Sequence, residues 1–152
     1  SNIKYEYHYH FFKTSNHTNL LDIVKLVSDS LKDCLEIEKS INDLLNSLGF
    51  TYYFKGTIYL KDAILFAYTE RNLLYDTKAL VKKVAKKYKI KNDRIVRSDM
   101  DRALNSMLTY INKDKIYNIF GKHYDGRIIS LKYFIDLCIR YLEEQRYCCL
   151  EN

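Results

Sequence analysis

Residues 76–111 read DTKALVKKVAKKYKIKNDRIVRSDMDRALNSMLTYI, and this stretch decides the fold. Leu80, Val81, Val84, Ala85 and Tyr88 recur at three- and four-residue steps, so the first half forms a helix with one buried stripe. Lys82, Lys83, Lys86 and Lys87 occupy its other side, and Lys89 and Lys91 follow in a short turn. Asn92 or Asp93, both good N-cap residues, then opens a second helix that carries Arg94, Arg97 and Arg102. Small Ala85 permits close helix approach, Ile90 plugs the turn, and Ile95 is expected to begin the inner face of the second helix. A helix, a tight turn and an arginine-bearing helix outline a helix-turn-helix.

Charge follows the same outline. Between residues 76 and 102 there are ten Lys or Arg and four Asp or Glu, a surplus of six that equals the net charge of +6 on all 152 residues. The basicity is therefore local, and a positive patch on a helix pair suits a polyanion, because each neutralised phosphate releases condensed counterions. A solvated lysine face is the plainer reading of the lysines alone.

Outward from this unit the periodicities are helical and proline is absent, which predicts an essentially all-α body. Leu20, Ile23, Val24, Val27, Leu31 and Cys34 form an amphipathic stripe that resumes at Ile41, Leu45 and Leu48 after an interruption at Glu38. Its spacing approaches a heptad, which fits either a helical dimer or packing on the protein's own core. A break is expected near residues 35–38, with Gly49 as the C-cap of the second segment. Gly56 is expected to adopt a backbone angle that side chains avoid, and Thr57 to cap a helix reaching Glu70. Further on, about one helical turn spans Ile116 to Phe120, and Ser130 caps a last helix that frays from Gln145.

At the start, residues 3–12 (IKYEYHYHFF) alternate in the manner of a strand, with Tyr5, Tyr7, Tyr9 and Phe11 on one face. His8 and His10 share the other face. That geometry would suit a metal, but no further ligand is near in sequence, and a plain aromatic arm is the better reading. The four cysteines show no C-x-x-C pair and read as reduced cytosolic thiols. With no apolar run of membrane-spanning length and no signal peptide, a cytoplasmic location without membrane attachment is expected. No Gly-rich phosphate loop or nucleophile motif suggests an enzyme, and no cofactor is expected.

Several motifs together resemble a known family. The segment from Ile41 to Ile64, with Phe54-Lys55-Gly56 and Tyr59-Leu60-Lys61-Asp62-Ala63-Ile64, is similar to the most distinctive signature of the C-terminal effector domain of the sporulation initiation response regulator of endospore-forming bacteria. Val84-Ala85-Lys86-Lys87-Tyr88 resembles the first helix of that family's DNA-reading unit, and Phe120-Gly121 its later Phe-Gly. The resemblance covers residues 36–145. It implies an all-α, six-helix domain that binds promoter DNA, often as head-to-tail tandem copies. The chain then divides into an arm and extra helix at 1–35, the effector-like domain at 36–145 and a tail at 146–152.

Two departures accompany it. The family's regulator carries an N-terminal phosphoacceptor receiver domain, whereas only the aromatic arm and one helix precede the effector region in these residues, so phosphorelay control is not supported. In the second helix of the motif the family typically shows Arg-x-Glu-Arg-x-x-Arg. Here Arg94 and Arg97 remain, but Val96 stands at the glutamate position and Met100 at the last arginine position. The later apolar stripe, Val96, Met100, Ala103, Met107 and Ile111, is displaced by one residue from a helix whose inner face starts at Ile95. A rotated helix start would turn Arg94, Ser98, Asp101, Arg102 and Asn105 outward, with Asp99 and Asp101 placing negative charge where phosphate is expected.

The resulting expectation is a transcriptional regulator that binds double-stranded DNA. Lys82, Lys83, Lys86, Lys87, Lys89 and Lys91 would serve mainly as phosphate contacts, with Arg94, Arg97 and Arg102 nearest the bases, and Asn92, Ser98 and Asp101 complete the expected DNA-binding set. The alternative is a receiver-less relative acting through protein contacts, with itself through the N-terminal arm and the helix at 20–34, with a full-length sporulation regulator or with RNA polymerase.

Overall fold

The computed structural model describes residues 19–151. Among the described residues six α-helices follow one another: α1 (Leu20–Leu48), α2 (Lys55–Thr69), α3 (Thr77–Lys87), α4 (Asp93–Tyr110), α5 (Lys113–Phe120) and α6 (Leu131–Glu151). Short 3-10 turns at Arg71–Tyr75 and Gly121–His123 follow α2 and α5. The described residues contain no strand, and the aromatic arm with His8 and His10 lies outside them. By contacts the chain divides into two units at Glu36 and Ile37.

α1 is one helix of 29 residues, without the break expected at residues 35–38. Those positions, Leu-Glu-Ile-Glu, contain neither glycine nor proline, and Glu38 does not interrupt packing because its carboxylate pairs with Lys61 on α2 at 2.9 Å. The helix ends as expected. Gly49 takes φ +93°, its N–H donates to Asn46 O at 3.0 Å, and Phe50 N–H donates to Leu45 O at 3.0 Å. These two bonds form a Schellman motif. They turn Phe50 into the core, where its ring lies 5.4 Å from that of Phe134 on α6.

In the second unit, Ile41, Leu44, Leu45 and Leu48 of α1, Leu60, Ala63, Ile64 and Ala67 of α2, and Phe134, Ile135, Leu137 and Cys138 of α6 form one buried cluster. Burial pushes the Cys138 thiol well above its ordinary pKa, as expected of an inert core cysteine. The ends of the later helices are set locally. Asp76, Asn92, Asn112 and Ser130 each accept a backbone N–H, from Ala79, Arg94, Asp114 and Tyr133 respectively. α5 runs eight residues from its Asn112 cap, longer than the single turn expected around Ile116, and α6 continues to Glu151, beyond the expected fraying point.

The closest helix approach joins α2 to α4, and it changes the meaning of two residues. Gly56 sits in the first turn of α2 with helical backbone, not in a glycine-only conformation. A Cβ placed on it would lie 1.9 Å from the Asp99 carbonyl oxygen. Glycine is required here for contact between two backbones. Thr57 is not the cap. It is fully buried, and its hydroxyl donates to Thr51 O at 2.7 Å, holding the turn that leads into α2.

Gly56→Ala would normally strengthen a helix by about 1 kcal/mol. In this protein it should destabilise by about 2–3 kcal/mol, because α2 must move off α4. Urea denaturation measures the sign.

Candidate nucleic-acid interface

The expected helix-turn-helix is formed by α3, the turn at residues 88–92 and α4. Leu80, Val81, Val84 and Ala85 are buried as the stripe requires, whereas Tyr88, expected to complete it, is 38% exposed because its hydroxyl reaches Asp62 at the edge of the core. At the turn Lys89 adopts φ +56°, a left-handed conformation unusual for a side-chain-bearing residue. Lys89 N–H donates to Lys86 O at 3.2 Å and Ile90 N–H to Ala85 O at 2.9 Å, a second Schellman motif that draws Ile90 back against the core. Asn92 then accepts the Arg94 N–H at 3.1 Å and starts α4.

The lysines of α3 separate into two sets. Lys83 pairs with Glu70 and sits 4.8 Å above the Phe66 ring. Lys87 pairs with Asp62 at 2.9 Å. Both therefore reach across to residues of α2 or its C-terminal end, Lys87 while remaining exposed. Lys82, Lys86, Lys89 and Lys91 are exposed.

Asp62 is the residue the sequence reading passed over. Its side chain is buried within α2, yet it accepts both the Lys87 ammonium and the Tyr88 hydroxyl. A buried carboxylate without partners would be costly, so this pair of donors fixes the last turn of α3 and the entry to the turn. The Tyr88 hydroxyl is held well above the phenol range, first by desolvation and then by its hydrogen bond to Asp62. A signal existed: Tyr59, Asp62 and Phe66 recur at i, i+3 and i+7, the face that receives Lys83, Lys87 and Tyr88.

α4 takes the rotated phase. Val96 and Met100 are 0% exposed whereas Ile95 is 51% exposed, so Ile95 does not begin the inner face as expected. The position that holds glutamate in the resembled pattern is thus a core position here. The buried stripe continues through Ala103 and Met107, and Arg94, Ile95, Arg97, Ser98, Arg102 and Asn105 are exposed while Asp99 and Asp101 are half-buried. Two of the arginines have acidic partners on the same helix. Arg97 Nε lies 3.1 Å from Asp101 Oδ2, and Arg102 Nη1 lies 3.9 Å from Asp99 Oδ1. Among the described residues Arg94 has no such ion pair.

An all-α core that presents a capped helix, a four-lysine edge and the exposed first turns of a second helix defines a helix-turn-helix domain. Residues 41–141 match the family model described as the C terminal of sporulation initiation factor Spo0A. The chain belongs to this family and is a DNA-binding effector domain of the sporulation type, a family of binding domains and not of enzymes. No curated protein matches it. Among the described residues no helix is long and apolar enough to cross a membrane.

Tyr88→Phe should cost about 1–3 kcal/mol at neutral pH, since Asp62 loses a donor while remaining buried. The pH dependence has a definite sign. Folded Tyr88 keeps its proton above the ordinary value of 10.0 whereas the unfolded chain releases it, so stability is complete below that pH and falls as pH rises beyond it. Denaturation of both proteins across the alkaline range should show a shallower decline in the Phe variant.

Proposed function

We propose that this domain is a transcriptional regulator that reads promoter DNA through its helix-turn-helix, with the first turns of α4 in the major groove and the α3 edge along the backbone. One observation carries the reading: Lys82, Lys86, Lys89, Lys91 and Arg94 are exposed along α3, its turn and the start of α4, and among the described residues none of them is held in an ion pair. Four lysines along one helix and its turn suit phosphate oxygens, which set register without reading sequence. Asn92 opens α4 beside them, accepting the Arg94 N–H.

Base reading falls to Arg94, Ile95, Ser98 and Arg102. Arg94 has the freedom to engage a guanine edge with two hydrogen bonds, whereas Arg97 and Arg102 must first leave Asp101 and Asp99. Ser98 accepts or donates, and exposed Ile95 suits the methyl group of thymine. The half-buried Asp101 opposes nearby phosphate and favours a cytosine amino group. With Val96 in the core, this set differs from the family's Arg-x-Glu-Arg pattern, so the preferred site should differ from the family's own.

Duplexes selected from a random pool and titrated at several salt concentrations test this. Four phosphate-contacting lysines give a log–log salt slope of about −3.6, and Lys86→Ala should reduce its magnitude by about one. Arg94→Ala should cost about 1–3 kcal/mol on the selected site and little on random duplex. Absence of binding at low salt, or affinity indifferent to salt, contradicts the reading. Salt-dependent binding that selects no sequence would instead favour the protein-contact alternative.

A further inference from the structure

Large apolar side chains along the first half of α1 face solvent: Leu20 is 71% exposed, Val24 59%, Val27 49% and Leu31 59%. Cys34 is exposed as well. A row of exposed aliphatic residues on one helix is abnormal for a surface that stays in water. The spacing identifies what covers it. Leu20, Val24, Val27, Leu31 and Cys34 alternate steps of four and three, which places Leu20, Val27 and Cys34 at d and Val24 and Leu31 at a of a heptad.

The flanks of this seam specify a partner of the same kind. The e positions are Leu21, Ser28 and Leu35 and the g positions Ile23, Ser30 and Ile37, all uncharged. Every charge from Asp22 to Glu36 falls at b, c or f, away from the seam. A second copy therefore meets no like charge across the interface, where same-sign e and g residues would repel. Leu20 at d beside β-branched Val24 at a is the pairing that favours two strands, and Val27 at d with Leu31 at a reverses it, so the number of strands is read from the mass. The seam has a defined end at Glu38, an a position that a dimer could not bury cheaply and that is instead occupied with Lys61. Beyond it the same register, Ile41, Leu45 and Leu48, is buried in the second unit.

We infer that two copies of this chain associate through the first half of α1 as a parallel two-stranded coiled coil, with Leu20, Val24, Val27, Leu31 and Cys34 each facing its own counterpart. This does not depend on the DNA reading. It assigns the seam to α1 itself, not to the aromatic arm. In parallel register the two Cys34 side chains share a d layer within disulfide reach, whereas an antiparallel pairing separates them.

Sedimentation equilibrium of the full chain, and of Val27→Glu/Leu31→Glu, tests the association. The unaltered chain should have twice its chain mass and the variant half of that, with unchanged helical content, because both positions are solvent-facing in the single chain. Diamide treatment of a Cys148→Ser/Cys149→Ser chain tests the register. The reagent takes up two electrons and two protons as the Cys34 pair forms its S–S bond, giving a covalent dimer that Cys34→Ser abolishes. A monomer at all concentrations, as when the chain's own first residues or an unlike helix covers the seam, overturns the inference. So does a dimer that does not cross-link at Cys34, or one that survives the double glutamate variant.

Discussion

The backbones of α2 and α4 meet at Gly56, where one added methyl group would overlap the Asp99 carbonyl. Much of the rest depends on this constraint. It presses α4 against α2 along its length, so that Val96, Met100, Ala103 and Met107 must be the buried face, and the outward face follows by helical geometry. The residues available to a ligand on α4 are thus chosen by a glycine in α2. Gly56, Tyr59 and Asp62 of α2 form the seat of the helix-turn-helix unit, Gly56 against α4 and Tyr59 and Asp62 against Tyr88.

Asp62 holds the other side of that unit. A buried carboxylate that binds Lys87 and Tyr88 anchors α3 on α2 through charge and hydrogen bonding, while the Schellman turn at Lys89 and Ile90 sets the angle to α4. The two helices of the motif are therefore positioned against one common support, α2. This arrangement suits a surface that must keep cations at fixed spacing, since flexible placement would lose the gain from several phosphates engaged together.

Much of this was legible in the residues. The stripe of α3, the caps at Asn92 and Ser130, and the Gly49 C-cap rest on local chemistry, and local chemistry decided them. What escaped the reading depends on contacts distant in sequence. Glu38 looks like an interruption until Lys61 is seen beside it, and Lys83 and Lys87 look like surface charge until Glu70 and Asp62 arrive from α2. The phase of α4 is readable in part: the stripe from Val96 to Ile111 indicates rotation, while Ile95 fits the inner position expected after the turn, and the contact of Gly56 with Asp99 that fixes the phase joins residues far apart in sequence. The ten-to-four excess of cations over residues 76–102 located the basic unit correctly, yet it overstated how many cations face outward.

The rotation of α4 is the central claim, because it decides which side chains can read DNA, and Val96 tests it most directly. Glutamate occupies this position in the resembled pattern, so Val96→Glu is the replacement that a helix phased to that pattern would accept on its surface. With Val96 fully buried, the substitution should cost more than about 3 kcal/mol, through lost apolar burial and an enclosed carboxyl group. Denaturant titration of the two proteins supplies the comparison. A large loss of stability is the predicted result; a variant as stable as the original would contradict the account.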